Sequence, residues 1–158
     1  MGRHGSVSER YVSFLLGTDR YCVPVNKVLQ IVRPEGLMAV PQSLSFVAGV
    51  INLRGDVVPV VNLKERLGLD GAVPDPLLAS RARVVIVRMG NRLCGLQVDE
   101  VREIVAIDES AAGGESQADG VRAQFVRAVT QRDGGTFLIL DLQHVLGVSR
   151  DIASPGLV

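Results

Sequence analysis

The segment Phe46–Leu69 (FVAGVINLRGDVVPVVNLKERLGL) returns, without a gap, as Phe125–Val148 (FVRAVTQRDGGTFLILDLQHVLGV). Phe46 falls on Phe125, Val50 on Val129, Gly55 on Gly134, Asn62 on Asp141, Leu67 on Leu146 and Gly68 on Gly147. Upstream, Val25–Ile31 falls on Val98–Ile104. A chain that repeats itself once at this spacing builds two copies of one supersecondary unit, and each copy must bury its apolar face against something. Each half holds a hairpin, a connector, a second hairpin and then a single helical turn. Asn62 and Asp141 stand where a side chain caps the turns Lys64–Leu67 and Gln143–Leu146, and Gly68 and Gly147 stand where positive φ ends them.

The elements themselves read as β. Short apolar runs at Tyr11–Leu16, Tyr21–Val25, Gly49–Leu53, Val57–Val61, Arg83–Met89, Leu93–Val98, Val101–Ile107, Phe125–Arg132 and Thr136–Asp141 are broken by turn formers. Asn26–Arg33 has helical spacing and reads as a short helix or a twisted strand. Arg54-Gly55-Asp56, Gly90-Asn91 and Asp133-Gly134-Gly135 read as hairpin turns. About five short strands per half suffice to curl into a small barrel. The expected fold is therefore all-β: two pseudo-repeated five-stranded barrels packed together, with one or two short helical turns and a groove between the halves. The expected division places 25–80 in the first barrel and 81–148 plus the N-terminal strand in the second. Segments 1–9 and 149–158 are expected as flexible tails, and Asp108–Gly120 as a polar loop.

Composition narrows the function. Seventeen basic residues balance seventeen acidic ones in 158, and aromatics make up 4% with no Trp. A chain that neutralises several phosphates carries a basic excess, so nucleic acid is a poor partner. No stretch reaches the roughly 18 apolar residues needed to span a bilayer, and Met1–Arg10 lacks the apolar core of a secretory signal. Cys22 and Cys94 lie far apart inside apolar runs and are expected as reduced, buried thiols of a cytoplasmic protein. With two histidines, His4 and His144, and no Cys-x-x-Cys, no metal site is assembled. Asp99-Glu100 resembles a catalytic carboxylate pair, but the repeat sets Asn26 opposite Asp99, which favours turn chemistry. No nucleophile elbow and no phosphate-cradling Gly-rich loop is present, so no catalytic residue is assigned.

Gly49-Val50-Ile51-Asn52-Leu53-Arg54-Gly55, followed by the strand Val57-Val58-Pro59-Val60-Val61, resembles the signature of the CheW family of bacterial chemotaxis coupling proteins. Gly95–Val101 and Leu138–Leu142 resemble its later motifs, and the likeness runs from about Arg10 to Val148, a single CheW-like domain over 10–148. The resemblance implies two SH3-like β-barrels and a non-enzymatic adaptor without cofactor, cytoplasmic and recruited to the inner-membrane receptor array. The implied partners are a CheA-type histidine kinase and the cytoplasmic tips of methyl-accepting chemoreceptors. Carried onto this sequence, the receptor-facing residues are Val28, Ile31, Gly49, Asn52, Arg54 and Gly55, with Gly95 and Val101 from the second half; kinase contacts fall on apolar barrel edges. Two positions depart from the pattern. Gln30 stands where the family commonly has a glutamate expected near Arg54, and Ala128 stands where it usually has glycine. Those departures open an alternative: a divergent scaffold in a motility or other sensory pathway that couples no kinase.

Overall fold

The computed structural model describes residues 8–41, 44–69, 79–108, 120–132 and 135–147. The runs read as strands pair into ten: β1 (Glu9–Leu16), β2 (Asp19–Pro24), β3 (Val28–Val32), β4 (Val47–Leu53), β5 (Asp56–Asn62), β6 (Arg83–Met89), β7 (Arg92–Val98), β8 (Glu100–Ile107), β9 (Val126–Arg132) and β10 (Gly135–Leu140). One-turn helices follow β5 and β10: α1 (Leu63–Arg66) and α2 (Leu142–Val145). The Asn26–Arg33 ambiguity resolves into both readings in series, a 3-10 turn at Val25–Lys27 followed by β3. The expected tails lie outside the described residues except at residues 8 and 9, and there Glu9 already pairs with Ile107 in a sheet. The Asp108–Gly120 loop also lies outside them except at its two ends.

Two five-stranded sheets form, ordered β8-β1-β2-β10-β9 and β3-β6-β7-β5-β4. Written in repeat equivalents the two orders are identical, with β1 matching β6, β2 matching β7, β3 matching β8, and the closing hairpins matching each other. Yet neither sheet is one copy of the repeat. Each takes the first hairpin of one copy and the last three strands of the other, joined by the parallel ladders β2–β10 and β5–β7. The expected division at residue 80 is therefore corrected. β1 and β2 do share a sheet with β8, β9 and β10, but β6 and β7 join β3, β4 and β5. The physical reason lies in the links at Val25–Lys27 and Asp99. Each is too short to fold the chain back, so it carries the chain across from one sheet to the other after its first hairpin.

The exchange explains the composition of the strands. Each sheet curls around a small core of its own: Tyr11, Cys22, Ile107, Ala128, Phe137 and Ile139 in one, Ile51, Val58, Val60, Val84 and Ile86 in the other. The outer faces of both sheets then meet in a third, larger core, where Phe14, Tyr21, Val61, Val85, Leu96, Leu138 and Leu140 pack together. Central strands are buried on both faces, so β6 and β10 read as unbroken apolar runs rather than clean alternations. Bulges recur at equivalent places. In β4 the register slips between Val47 and Gly49, and in β9 the matching slip sets Ile139 on Ala128 and Leu140 on Val126, leaving Ala48 and Arg127 as the extra residues.

The helix caps form as expected. Asn62 Oδ1 accepts from Glu65 N at 3.3 Å, and Asp141 Oδ1 accepts from His144 N at 3.1 Å. Gly68 has φ +73, but Gly147 is not among the residues of positive φ, so that expectation is corrected. Close packing favours glycine there instead, since a Cβ would lie 3.2 Å from the carbonyl oxygens of Gln143 and His144. Burial raises the Asp141 carboxyl, but the hydrogen bonds from His144 N and from its ring, with Arg127 nearby, outweigh it and hold the carboxyl below the usual range. A carboxyl depressed on folding adds stability that is present above its unfolded-state pKa and lost as pH falls through its folded value. Asp141→Asn keeps the cap that Asn62 demonstrates at the equivalent position, so its cost at neutral pH is under about 0.5 kcal/mol, against about 1 kcal/mol for Asp141→Ala. Urea titrations at pH 7 and pH 3 check both: the gap between wild type and Asp141→Asn closes at the lower pH.

Candidate functional site

The hairpin joining β4 to β5 ends in a tight, exposed turn. Leu53 and Asp56 pair, leaving Arg54 and Gly55 as a two-residue loop, with φ +56 and +91. Two successive positive φ values fit a type I′ turn, whose twist matches that of the flanking strands and which ordinarily carries Asn-Gly. Arg54 is the only non-glycine residue of positive φ among those described. Asn52 steadies the loop, its Oδ1 accepting from Gly55 N at 2.9 Å. The Arg54 side chain is exposed and forms no ion pair among the described residues. Directly across from Asn52 stands Val57, which is 64% exposed. The tip thus presents a free guanidinium beside an uncovered apolar side chain, held in a fixed frame.

Along the far edge of the same sheet, β3 carries Val28, Gln30 and Ile31. A bulge between Val28 and Gln30 lets Val28 lie beside Val87 on the shared core while Val32, opposite Val84, faces the small core. Leu29 and Ile31 are left 44% and 40% exposed on an edge with no further strand beside it among the described residues. No hydrogen bond or ion pair joins Gln30 to Arg54. Val101, the repeat equivalent of Val28, packs on the shared core from β8 in the other sheet. Its neighbour at the next equivalent position, Ile104, is 56% exposed, matching Ile31.

Two of the residues marked by resemblance are buried and serve the packing of the sheet. A Cβ on Gly95 would meet Val84 Cγ1 at 2.6 Å and Val60 Cγ2 at 3.0 Å, so this glycine is there to let β5, β6 and β7 close on one another. Gly49, at φ +151, would put a Cβ 2.2 Å from the Met38 carbonyl oxygen, where residues 38 and 50 exchange two backbone hydrogen bonds of 2.8 Å. The segment at Met38 thereby covers the free edge of β4, and Met38 itself is 56% exposed. The structure thus groups Asn52, Arg54 and Gly55 on one hairpin and Val28, Gln30 and Ile31 on one edge strand. Gly49 and Gly95 shape the sheet beneath, and Val101 lies across the shared core.

Sequence reasoning missed Val57, Met38 and Arg66. Val57 could have been found from its outward place in the alternation of β5. Met38 carried no signal, because its exposure follows from a single long-range bridge. Arg66 belongs to the frame: it stacks on the equivalent rings Phe46 (4.3 Å) and Phe125 (4.8 Å), and its Nε donates to Val145 O at 2.9 Å. Asp99 proves to be structural, as expected, with Oδ2 accepting from Gly17 N at 2.8 Å and pairing with Lys64 Nζ at 3.1 Å. Cys22 and Cys94 are buried thiols outside any disulfide, and burial pushes the Cys94 thiol up to about 12. Among the described residues no cluster of His, Cys, Asp and Glu could hold a metal ion, and no helix is long and apolar enough to cross a membrane.

Residues 10–150 match the family described as CheW-like domain. A probable chemotaxis protein CheW of Rhizobium etli is 29% identical over 144 residues, spanning 90% of each chain. The chemotaxis protein CheW of Helicobacter pylori is 30% identical over 101 residues, which is 64% of this chain and 59% of the relative's length. Among solved structures, the scaffolding protein TtCheW of Thermoanaerobacter tengcongensis superposes with a TM-score of 0.78 at 26% identity, over 89% of this chain and 93% of its own.

Proposed function

This chain belongs to the CheW-like domain family, and from that premise we propose that it couples methyl-accepting chemoreceptors to a CheA-type histidine kinase, with the Arg54 hairpin on the receptor side. The family's members are chemotaxis proteins and one is a scaffolding protein, which supports a chemotaxis adaptor role. The observation that carries the site is the backbone of Arg54. A long cationic side chain sits in the left-handed region, where Asn or Gly would be cheaper, and makes no intramolecular ion pair in return. Residues held in sparsely populated backbone regions without internal compensation cluster at binding sites.

With Gln30 in place of a carboxylate, the guanidinium is left available, and its counter-charge comes from the partner. Ile31, exposed on the edge of β3, adds an apolar contact on the receptor side. Contacts of this kind bury roughly 800 Å² per partner or less and dissociate readily. The protein acts without catalysis: by gripping both partners in a fixed relation it lets receptor conformation bias the kinase. Its place of action is the cytoplasmic face of the receptor array.

Arg54→Asn tests the site in a way that a folding defect cannot imitate. Asn-Gly suits the type I′ turn better than Arg-Gly, so the variant is expected to gain up to about 0.5–1 kcal/mol in urea unfolding. In the same variant, binding to a purified receptor tip weakens about tenfold or more, measured by calorimetry. Unchanged receptor binding in a folded variant would remove Arg54 from the interface. Retention of receptor binding with no kinase binding in the wild type would favour a scaffold that serves a pathway without that kinase.

A further inference from the structure

The two sheets match in topology but not in charge. In the second sheet, Arg54 stands in the β4–β5 turn, while Arg88 and Arg92 flank the β6–β7 turn. The register places all three at one end of the sheet. β5 and β7 run parallel away from that end, with Val57 and Arg92 each three residues ahead of the Val60–Gly95 pair. Met89 lies opposite Arg92, and Arg88 lies opposite Leu93. The repeat equivalents of Arg54, Arg88 and Arg92 are Asp133, Leu15 and Asp19. One copy thus carries three cations where the other carries two acidic residues and a leucine.

The two ends also differ in how their charges are met. Asp19 is answered within the chain, its Oδ2 accepting from Arg122 Nη1 at 2.7 Å. Arg54, Arg88 and Arg92 are exposed, and none of them forms an ion pair among the described residues. The carboxylate that β5 brings to this end, Asp56, is exposed and forms none either. Lys27, which precedes β3 at the same end, lines a cleft with Asp141 and takes no part. Three cations against one carboxylate leave a positive field in front of this end, although the chain as a whole is neutral. Val57, 64% exposed, stands on β5 between the Arg54 turn and β7.

We propose that the site at the Arg54 hairpin extends across this end of the sheet to Arg88 and Arg92, and that it takes an acidic protein segment whose carboxylates flank an apolar side chain. Carboxylates meet Arg54 on one side and Arg92 and Arg88 on the other, while the apolar residue rests on Val57. One exposed ion pair contributes little, but several presented together steer an acidic partner and fix its register. Assigning this surface to the receptor side rests on the function proposed above; its preference for carboxylates rests on the charges alone.

The test titrates the full chain, labelled with ¹⁵N, with the capped peptide acetyl-Glu-Glu-Val-Glu-Glu-amide. Acetyl-Gln-Gln-Val-Gln-Gln-amide is its uncharged match, and inorganic phosphate is a third titrant. The acidic peptide is expected to shift the amide signals of Gly55, Val57, Arg88 and Arg92 with millimolar affinity that falls as salt is raised. The signal of Arg33, an exposed cation beyond the other end of β3, stays in place, and the amide peptide moves none of them. Arg88→Gln combined with Arg92→Gln weakens peptide binding about tenfold, and so does Arg92→Asp, which carries the residue of the other copy. Absence of shifts at this end, equal shifts from both peptides, equal shifts at Arg33, the same response to phosphate at equal concentration, or unchanged affinity in both variants would each overturn the proposal. A purified receptor tip judges the receptor reading separately. A tip whose binding weakens with Arg54→Asn but not with Arg88→Gln and Arg92→Gln would overturn the extension and keep that reading. A tip that fails to bind, while the acidic peptide binds as expected, would overturn the reading and keep the carboxylate preference.

Discussion

Gly49→Ala is expected to cost about 3–5 kcal/mol, most of the 5–15 kcal/mol by which a domain is stable. The new Cβ lies 2.2 Å from the Met38 carbonyl oxygen and 2.8 Å from its carbon, and both are backbone atoms. Relief requires residues 38 and 39 to withdraw, which breaks the two 2.8 Å hydrogen bonds that seal the edge of β4. A φ of +151 adds strain for any side chain. The equivalent position in the other sheet gives the internal control. Ala128 carries a methyl group there, buried in the small core of its own sheet. Ala128→Gly therefore costs only about 1 kcal/mol, the loss of one small buried group and of backbone restriction. Guanidinium unfolding of the two variants side by side reads the asymmetry; a Gly49→Ala variant within 1 kcal/mol of wild type would show that the Met38 crossing is not rigid.

Arg66→Ala is the second large effect, expected at about 2–3 kcal/mol. Phe46 leads into β4 in one sheet and Phe125 into β9 in the other, so the guanidinium between their rings ties the sheets together. It also donates to Val145 O and to His144 O, two carbonyls in the last turn of α2. Desolvation by burial lowers the pKa of Arg66, a measure of how far the group is withdrawn from water, but it stays charged at any ordinary pH. Truncation leaves Val145 O without this donor and opens a gap between two rings. Arg66→Lys recovers less than half of the loss, because a compact ammonium cannot stack on both rings while serving both carbonyls. Urea midpoints with unchanged slopes would confirm a two-state loss of this size, and a change under about 0.5 kcal/mol for Arg66→Ala would contradict it.

How much of this was legible in the sequence follows from what a repeat encodes. Matching residues revealed the two sheets, the caps at Asn62 and Asp141 and the hairpin at Arg54-Gly55, since each depends on local chemistry. The exchange of hairpins was not legible. Repeat spacing says that two copies exist, but not which copy a hairpin pairs with; that is set by the parallel ladders Val60–Gly95 and Ile139–Cys22, between strands distant in sequence. Arg66 was hidden because its counterpart is Val145, so the symmetric reading met only a mismatch. The packing role of Gly49 and Gly95 was not legible either, because a glycine favoured by close packing leaves the same trace in a sequence as one favoured at a surface.

The account rests on one chain holding two proteins at once, and the direct measurement is capture of a kinase through it. A receptor tip is immobilised, the regulatory domain of a CheA-type kinase from the same organism is passed over it, and this protein is then added. Kinase retained only when the protein is present, and lost again with Arg54→Asn, is the predicted result. Kinase retained equally without it, or never retained although each partner binds the protein singly, would contradict the coupling role.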